Sequence, residues 1–175
     1  MAKKRKSKQR VNKTKRRNLI LVSGGIILLG IVLFMFFQVP EKIEPGDGVL
    51  ATPVTVHDFG FVPVSRGTVS AEIPLANIGE EDLLISFLDS SCGCTTAQVI
   101  NNGESGPLFG MSSHGKSPRD WQTIIKPGKK ASLKILYDPM VHPKFRGPGT
   151  RVITISSNSK STPEKQVRIK VNQVD

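Results

Sequence analysis

Thr68-Val69-Ser70-Ala71-Glu72-Ile73-Pro74-Leu75 places Val69, Ala71, Ile73 and Leu75 in one phase of a two-residue alternation. Successive side chains of a strand point to opposite faces, so this phase aims four apolar groups at a core. Pro74 cannot donate a ladder hydrogen bond, which assigns the strand to a sheet edge or a break. The same period recurs on the C-terminal side. A turn at Asn77-Ile78-Gly79 leads to Leu83, Ile85 and Phe87, and Thr123 to Ile125 gives a short strand stopped by Lys126-Pro127-Gly128. Ala131, Leu133, Ile135 and Tyr137 form another strand, and Val152 to Ile155 and then Val167, Ile169 and Val171 complete the set. No stretch after Phe37 holds a sustained helical period. Roughly seven short strands with turn signals between them predict an all-β antiparallel sandwich.

Upstream, the composition changes twice. The chain has 175 residues and a net charge of +11, which at first resembles a nucleic-acid-binding balance. The charge is local, because Lys3, Lys4, Arg5, Lys6, Lys8, Arg10, Lys13, Lys15, Arg16 and Arg17 all fall in residues 1–18, where there is no acid. The remainder carries 15 basic against 14 acidic residues and is nearly neutral. With no aromatic residue in the tail to stack bases, no nucleic-acid partner is expected. Residues 19–37 (LILVSGGIILLGIVLFMFF) hold no charge, and as a helix they would span about 28 Å, close to the hydrocarbon thickness of a bilayer. They predict a single transmembrane helix.

The cations before that span hold the N-terminus in the cytoplasm by the positive-inside rule and attract anionic lipid headgroups. Cleavable signal peptides have shorter apolar regions followed closely by a small-x-small site. Here the first such site, Val49-Leu50-Ala51, lies well beyond Phe37, so the segment reads as an uncleaved signal anchor in the cell membrane. The sequence thus divides into a basic cytoplasmic tail (1–18), the anchor (19–37), a Pro/Gly-rich stalk (38–53) and an extracytoplasmic β domain (54–175). Within the domain, residues 101–120 (NNGESGPLFGMSSHGKSPRD) form an insertion loop half composed of Gly, Ser and Pro. Leu108, Phe109 and Met111 give it an apolar centre able to fold back on the sandwich, but the loop is expected to be dispensable for the fold.

Read in order, the domain carries His57-Asp58-Phe59-Gly60, Asn77-Ile78-Gly79, Ser91-Cys92-Gly93-Cys94-Thr95, Lys126-Pro127-Gly128, Tyr137-Asp138-Pro139 and Ser156-Ser157-Asn158. This succession resembles the bacterial family called domain of unknown function 1573. The resemblance implies an exported or membrane-anchored protein with an immunoglobulin-like fold. It implies no activity.

Cys92 and Cys94 are the only cysteines. Positions i and i+2 of a regular strand lie about 6.6 Å apart, too far for a disulfide, unless Gly93 permits a tight turn. The leading expectation is a local structural role, as a small disulfide or as packed thiols at a strand start. The alternatives are a dithiol redox pair or a Cu or Zn site, with His57, His114, His142, Met111 or Met140 as completing ligands. None of these histidines lies at ligand spacing from the cysteines. His57-Asp58 would point to opposite faces of a strand and reads as a strand-initiating turn rather than a catalytic relay. The chain has no phosphate-binding Gly loop and no nucleophile elbow. The expected function is therefore a non-enzymatic binding or scaffolding module for an extracytoplasmic protein partner, with thiol redox or soft-metal handling as the alternative.

Overall fold

The computed structural model describes residues 30, 46–115 and 117–175. The basic tail and the 19–37 anchor (Gly30 apart) lie outside the described residues, as does the first half of the stalk. Among the described residues no helix is long and apolar enough to cross a membrane.

Among the described residues ten strands run in order: β1 (Leu50–Ala51), β2 (Val56–Pro63), β3 (Val69–Asn77), β4 (Leu83–Ser90), β5 (Thr95–Asn101), β6 (Glu104–Ser105), β7 (Thr123–Ile125), β8 (Lys130–Tyr137), β9 (Gly147–Ser157) and β10 (Glu164–Val174). They form two five-stranded sheets, ordered β1-β3-β8-β5-β6 and β2-β10-β9-β4-β7. In β3, β8, β9 and β10 the alternation read from the sequence is the one that packs, whereas in β4 a register shift between Ile85 and Phe87 breaks it, burying Leu88 and leaving Phe87 only partly buried. Ile73 and Leu75 of β3, Leu133 and Ile135 of β8, Ile153 and Ile155 of β9, and Val167 and Ile169 of β10 are all buried in one cluster between the sheets. The result is an immunoglobulin-like β-sandwich. Pro74 sits where β1 covers only Ala76 and Asn77 of β3, a strand margin on which a missing N–H is tolerated.

Several expectations are corrected. The sandwich is not wholly antiparallel, because β2 pairs in parallel with β10. Alternation fixes which face a residue occupies but not the direction of its neighbour. In that pairing the register shifts between Lys170 and Asn172, opposite Phe59-Gly60. Gly60 there takes a φ of +65°, and its N–H donates to Asp58 Oδ1 at 2.8 Å. The His-Asp-Phe-Gly motif is thus a bulge inside β2, not a turn that starts it.

Second, the stalk does not reach residue 53. Gly46 bridges to Ser159, and Leu50, 1% exposed, pairs through β1 with β3. Burial of Leu50 overrides the Pro/Gly composition around it.

Third, the 101–120 segment folds back on the sandwich through its apolar centre, as expected, but the core side chain it supplies argues against its being dispensable. Phe109 is 1% exposed, and its backbone exchanges two 2.8 Å hydrogen bonds with Ala97. Its ring packs edge-on against Phe87 and Trp121, with centroids 5.5 and 5.4 Å away. The segment is an extra margin of the first sheet that supplies a core side chain.

Candidate functional site

Thr95 at the start of β5 lies opposite Tyr137 at the end of β8. Whatever precedes β5 therefore meets whatever follows β8. Cys92-Gly93-Cys94 is the turn that carries the chain from β4 in one sheet to β5 in the other, and Tyr137-Asp138-Pro139 opens the turn after β8. Asp138 caps a 3-10 turn, Pro139–Val141, by accepting from Met140 N at 2.8 Å, and that turn delivers His142. The two turns are tied by Asp138 N–H donating to Cys94 O at 2.8 Å. On the other side, Ser91 N–H donates to Val152 O and Val152 N–H to Ser91 Oγ, both at 2.9 Å, locking the cysteine turn to β9.

These ties bring together three side chains. The Sγ atoms of Cys92 and Cys94 and a ring nitrogen of His142 all lie within 4.8 Å of one another, and Cys92 Sγ is 3.4 Å from His142 Nε2. Among the described His, Cys, Asp and Glu residues, this is the one cluster of three able to hold a metal ion. Both cysteines are free thiols. Cys94 is buried in a small apolar cluster with Val62, Val69, Tyr137 and Val171, whereas Cys92 is half-buried and His142 exposed. His142 also lines a groove of about 570 Å³ formed with Val141, Pro143, Lys144, Phe145 and Arg151.

The tight turn expected at Gly93 is present, closed by Thr95 N–H donating to Cys92 O at 3.1 Å. It does not depend on glycine, since Gly93 takes no positive φ and a Cβ there would touch nothing within 4 Å. The thiols approach because the segment turns between sheets. His57 lies in β2 with its ring edge-on to Phe59, and His114 lies in the insertion; neither joins the cluster. Met140 is 56% exposed in the 3-10 turn, and Met111 is half-buried in the insertion.

Two residues that sequence reasoning missed complete the surroundings. Arg151 of β9 donates from Nε to Cys94 Sγ at 3.1 Å, and its guanidinium lies 5.6 Å from the Phe145 ring centroid. Gln173 of β10 is fully buried. It accepts from the Tyr137 hydroxyl at 2.5 Å and donates to the His142 and Pro139 carbonyls at 3.0 and 3.3 Å, fixing the turn that presents His142. Burial pushes the Cys94 thiol up, and a hydrogen bond with Cys92 adds to this; Arg151 pulls it down without reversing the direction. Burial works against the charge of Arg151, but its contact with Cys94 more than offsets this and holds the guanidinium protonated. Burial, reinforced by charge on Cys94, likewise raises the Tyr137 hydroxyl, which stays neutral and donates to Gln173.

The family model described as "Protein of unknown function (DUF1573)" matches residues 50–108, a span that includes both cysteines but stops before His142 and Arg151. No curated protein matches the chain. Among solved structures, a protein of unknown function from Porphyromonas gingivalis W83 aligns at 21% identity with a TM-score of 0.55, over 77% of this chain and 51% of that one. This chain therefore spans about half the length of that relative, and the likeness is one of fold. The secreted serine protease VesC from Vibrio cholerae aligns at 12% identity with a TM-score of 0.46, over 72% of this chain and 23% of that one. The PapD-like domain 7 of human CEP192 aligns at 14% identity with a TM-score of 0.45, over 79% and 92%.

Proposed function

We propose that this β-sandwich is a soft-metal-binding module held outside the cytoplasm, in which the Cys92 and Cys94 thiolates and the His142 imidazole take one Cu(I) or Zn(II) ion. The observation that carries the reading is the convergence of three ligand atoms within 4.8 Å from two turns 50 residues apart. Two sulfurs bound at about 2.3 Å in a trigonal arrangement lie about 4 Å apart, so closing on an ion needs side-chain movements of about an ångström or less. A purely structural thiol pair gives no reason for an exposed histidine to sit on Cys92. The fold supports a binding role of this kind, since the site is made of turns at one end of a rigid sandwich.

Thiolate and imidazole donors bind a metal only after losing their protons, so loading releases protons and protects both sulfurs. The test uses the reduced full chain without oxygen, titrated with Cu(I) or Zn(II) against a chromophoric chelator, followed by alkylation. One ion per chain and two protected thiols are expected. Equal alkylation rates with and without metal would show that the thiols hold no ion.

The location rests on residues 1–37. The ten tail cations and the uncharged 19-residue run support a single-pass anchor in the cell membrane with the N-terminus cytoplasmic and in contact with anionic lipid. The partner expected outside the cytoplasm is then a protein that delivers or removes the ion. A reporter that works only outside the cytoplasm, fused after Asp175, is expected to be active. Replacing most of the ten cations with neutral residues is expected to give mixed orientation. Activity of a cytoplasm-only reporter at Asp175 in the unaltered chain would reverse the topology.

A further inference from the structure

Arg151 is an unusual neighbour for a metal-binding sulfur, because a fixed cation beside a ligand repels an incoming cation. Resting on the soft-metal reading of this site, we infer that Arg151 makes it selective for monovalent Cu(I) over divalent Zn(II). The argument is one of charge and ligand number. Two thiolates and a neutral imidazole carry a charge of −2. Cu(I) leaves −1, and the guanidinium 3.1 Å from Cys94 Sγ brings the whole to zero. Zn(II) neutralises the ligands by itself and leaves Arg151, half-buried, as an uncompensated cation next to a neutral centre.

The other charges nearby do not change the balance. Lys144 lines the same groove and is exposed. Arg146 is engaged by Asp175 at 2.6 Å, and the Asp138 carboxylate keeps its charge but accepts from Met140 N rather than from Arg151. No carboxylate belongs to the ligand cluster among the described residues, so the donors there are two sulfurs and one nitrogen. That set completes a three-coordinate Cu(I) site, whereas Zn(II) prefers four ligands. The geometry also holds the guanidinium in place. Its Nε–H is directed at the sulfur, its Nη1 donates to Thr150 O at 3.0 Å, and its face rests near Phe145.

The test compares the reduced full chain with Arg151→Gln, which removes the charge and keeps a donor, and Arg151→Lys, which keeps the charge and loses the planar fork. Cu(I) and Zn(II) affinities are each read by competition with a chelator, and folding of each variant by its far-UV spectrum. Arg151→Gln is expected to lower the ratio of Cu(I) to Zn(II) affinity at least about tenfold, because the guanidinium faces a centre of charge −1 when Cu(I) is bound and a neutral one when Zn(II) is bound. Arg151→Lys is expected to keep most of the wild-type ratio. Equal losses for both metals in Arg151→Gln would reduce Arg151 to a structural support and overturn the inference while leaving the metal site standing. An unaltered chain that binds neither metal would instead remove the site itself.

Discussion

Asn77→Ala is expected to destabilise the sandwich by about 5 kcal/mol, enough to leave a domain of ordinary stability largely unfolded. Asn77 is fully buried, and its side chain makes four hydrogen bonds to backbone. Oδ1 accepts from Val49 N at 3.1 Å and Gly79 N at 3.0 Å, and Nδ2 donates to Glu81 O at 2.7 Å and Ile125 O at 2.8 Å. One amide therefore ties the segment entering β1, the turn from β3 to β4, and β7. Alanine would leave four main-chain groups without this partner, one in a buried bond and three in part-buried ones, at about 1–3 kcal/mol each. Gly79 belongs to the same device, since a Cβ there would collide with Asp47 O and lie 2.7 Å from Val49 N. Urea denaturation followed by the fluorescence of Trp121 measures the loss. A change under about 1 kcal/mol would mean that this junction adds little to the fold.

Asn77 also shows what the sequence does and does not disclose. Asn77-Ile78-Gly79 reads as a turn, which it is, but Asn77 also continues the inward phase of Ile73 and Leu75. Arg151 holds the same relation to Ile153 and Ile155 in β9, and Gln173 to Val167, Ile169 and Val171 in β10. A polar residue in an apolar phase must find partners inside, so each of the three is visible as an anomaly in the alternation. The partners themselves are not visible, because they come from other strands. For the same reason the sequence can name His142 as a ligand but cannot choose it over His57 or His114. The contact that selects it arises from the pairing of β5 with β8 and from the Asp138-capped turn. Alternation is legible because it depends on neighbours in sequence; the parallel β2–β10 pair and the burial of Leu50 and Phe109 depend on neighbours in space.

Cys92→Ser and Cys94→Ser are each expected to weaken Cu(I) binding at least about a thousandfold while leaving the domain folded, because a hydroxyl is a poor donor to a soft ion and two remaining ligands do not enclose it. Sequence alone favours the opposite outcome, a pair serving only local structure. The contacts around the two sulfurs separate these roles. Cys92 is half-buried, and its backbone N–H is met by Ser90 Oγ at 3.3 Å whatever its side chain. A serine at position 94 would keep Arg151 Nε as a donor and Thr95 Oγ1 as a neighbour, so its hydroxyl is not left unpaired among Val62, Val69, Tyr137 and Val171. Stability is therefore expected to change by about 1 kcal/mol or less in either variant. His142→Ala removes an exposed side chain and is expected to leave stability unaltered while lowering Cu(I) affinity about a hundredfold, since the two sulfurs still chelate. Chelator competition reads the affinities, and urea denaturation of the metal-free chains reads the stabilities. Loss of binding accompanied by an equal loss of stability would make the cysteine turn a structural element. Binding that survives either serine within a few-fold would place the ion somewhere other than between Cys92, Cys94 and His142.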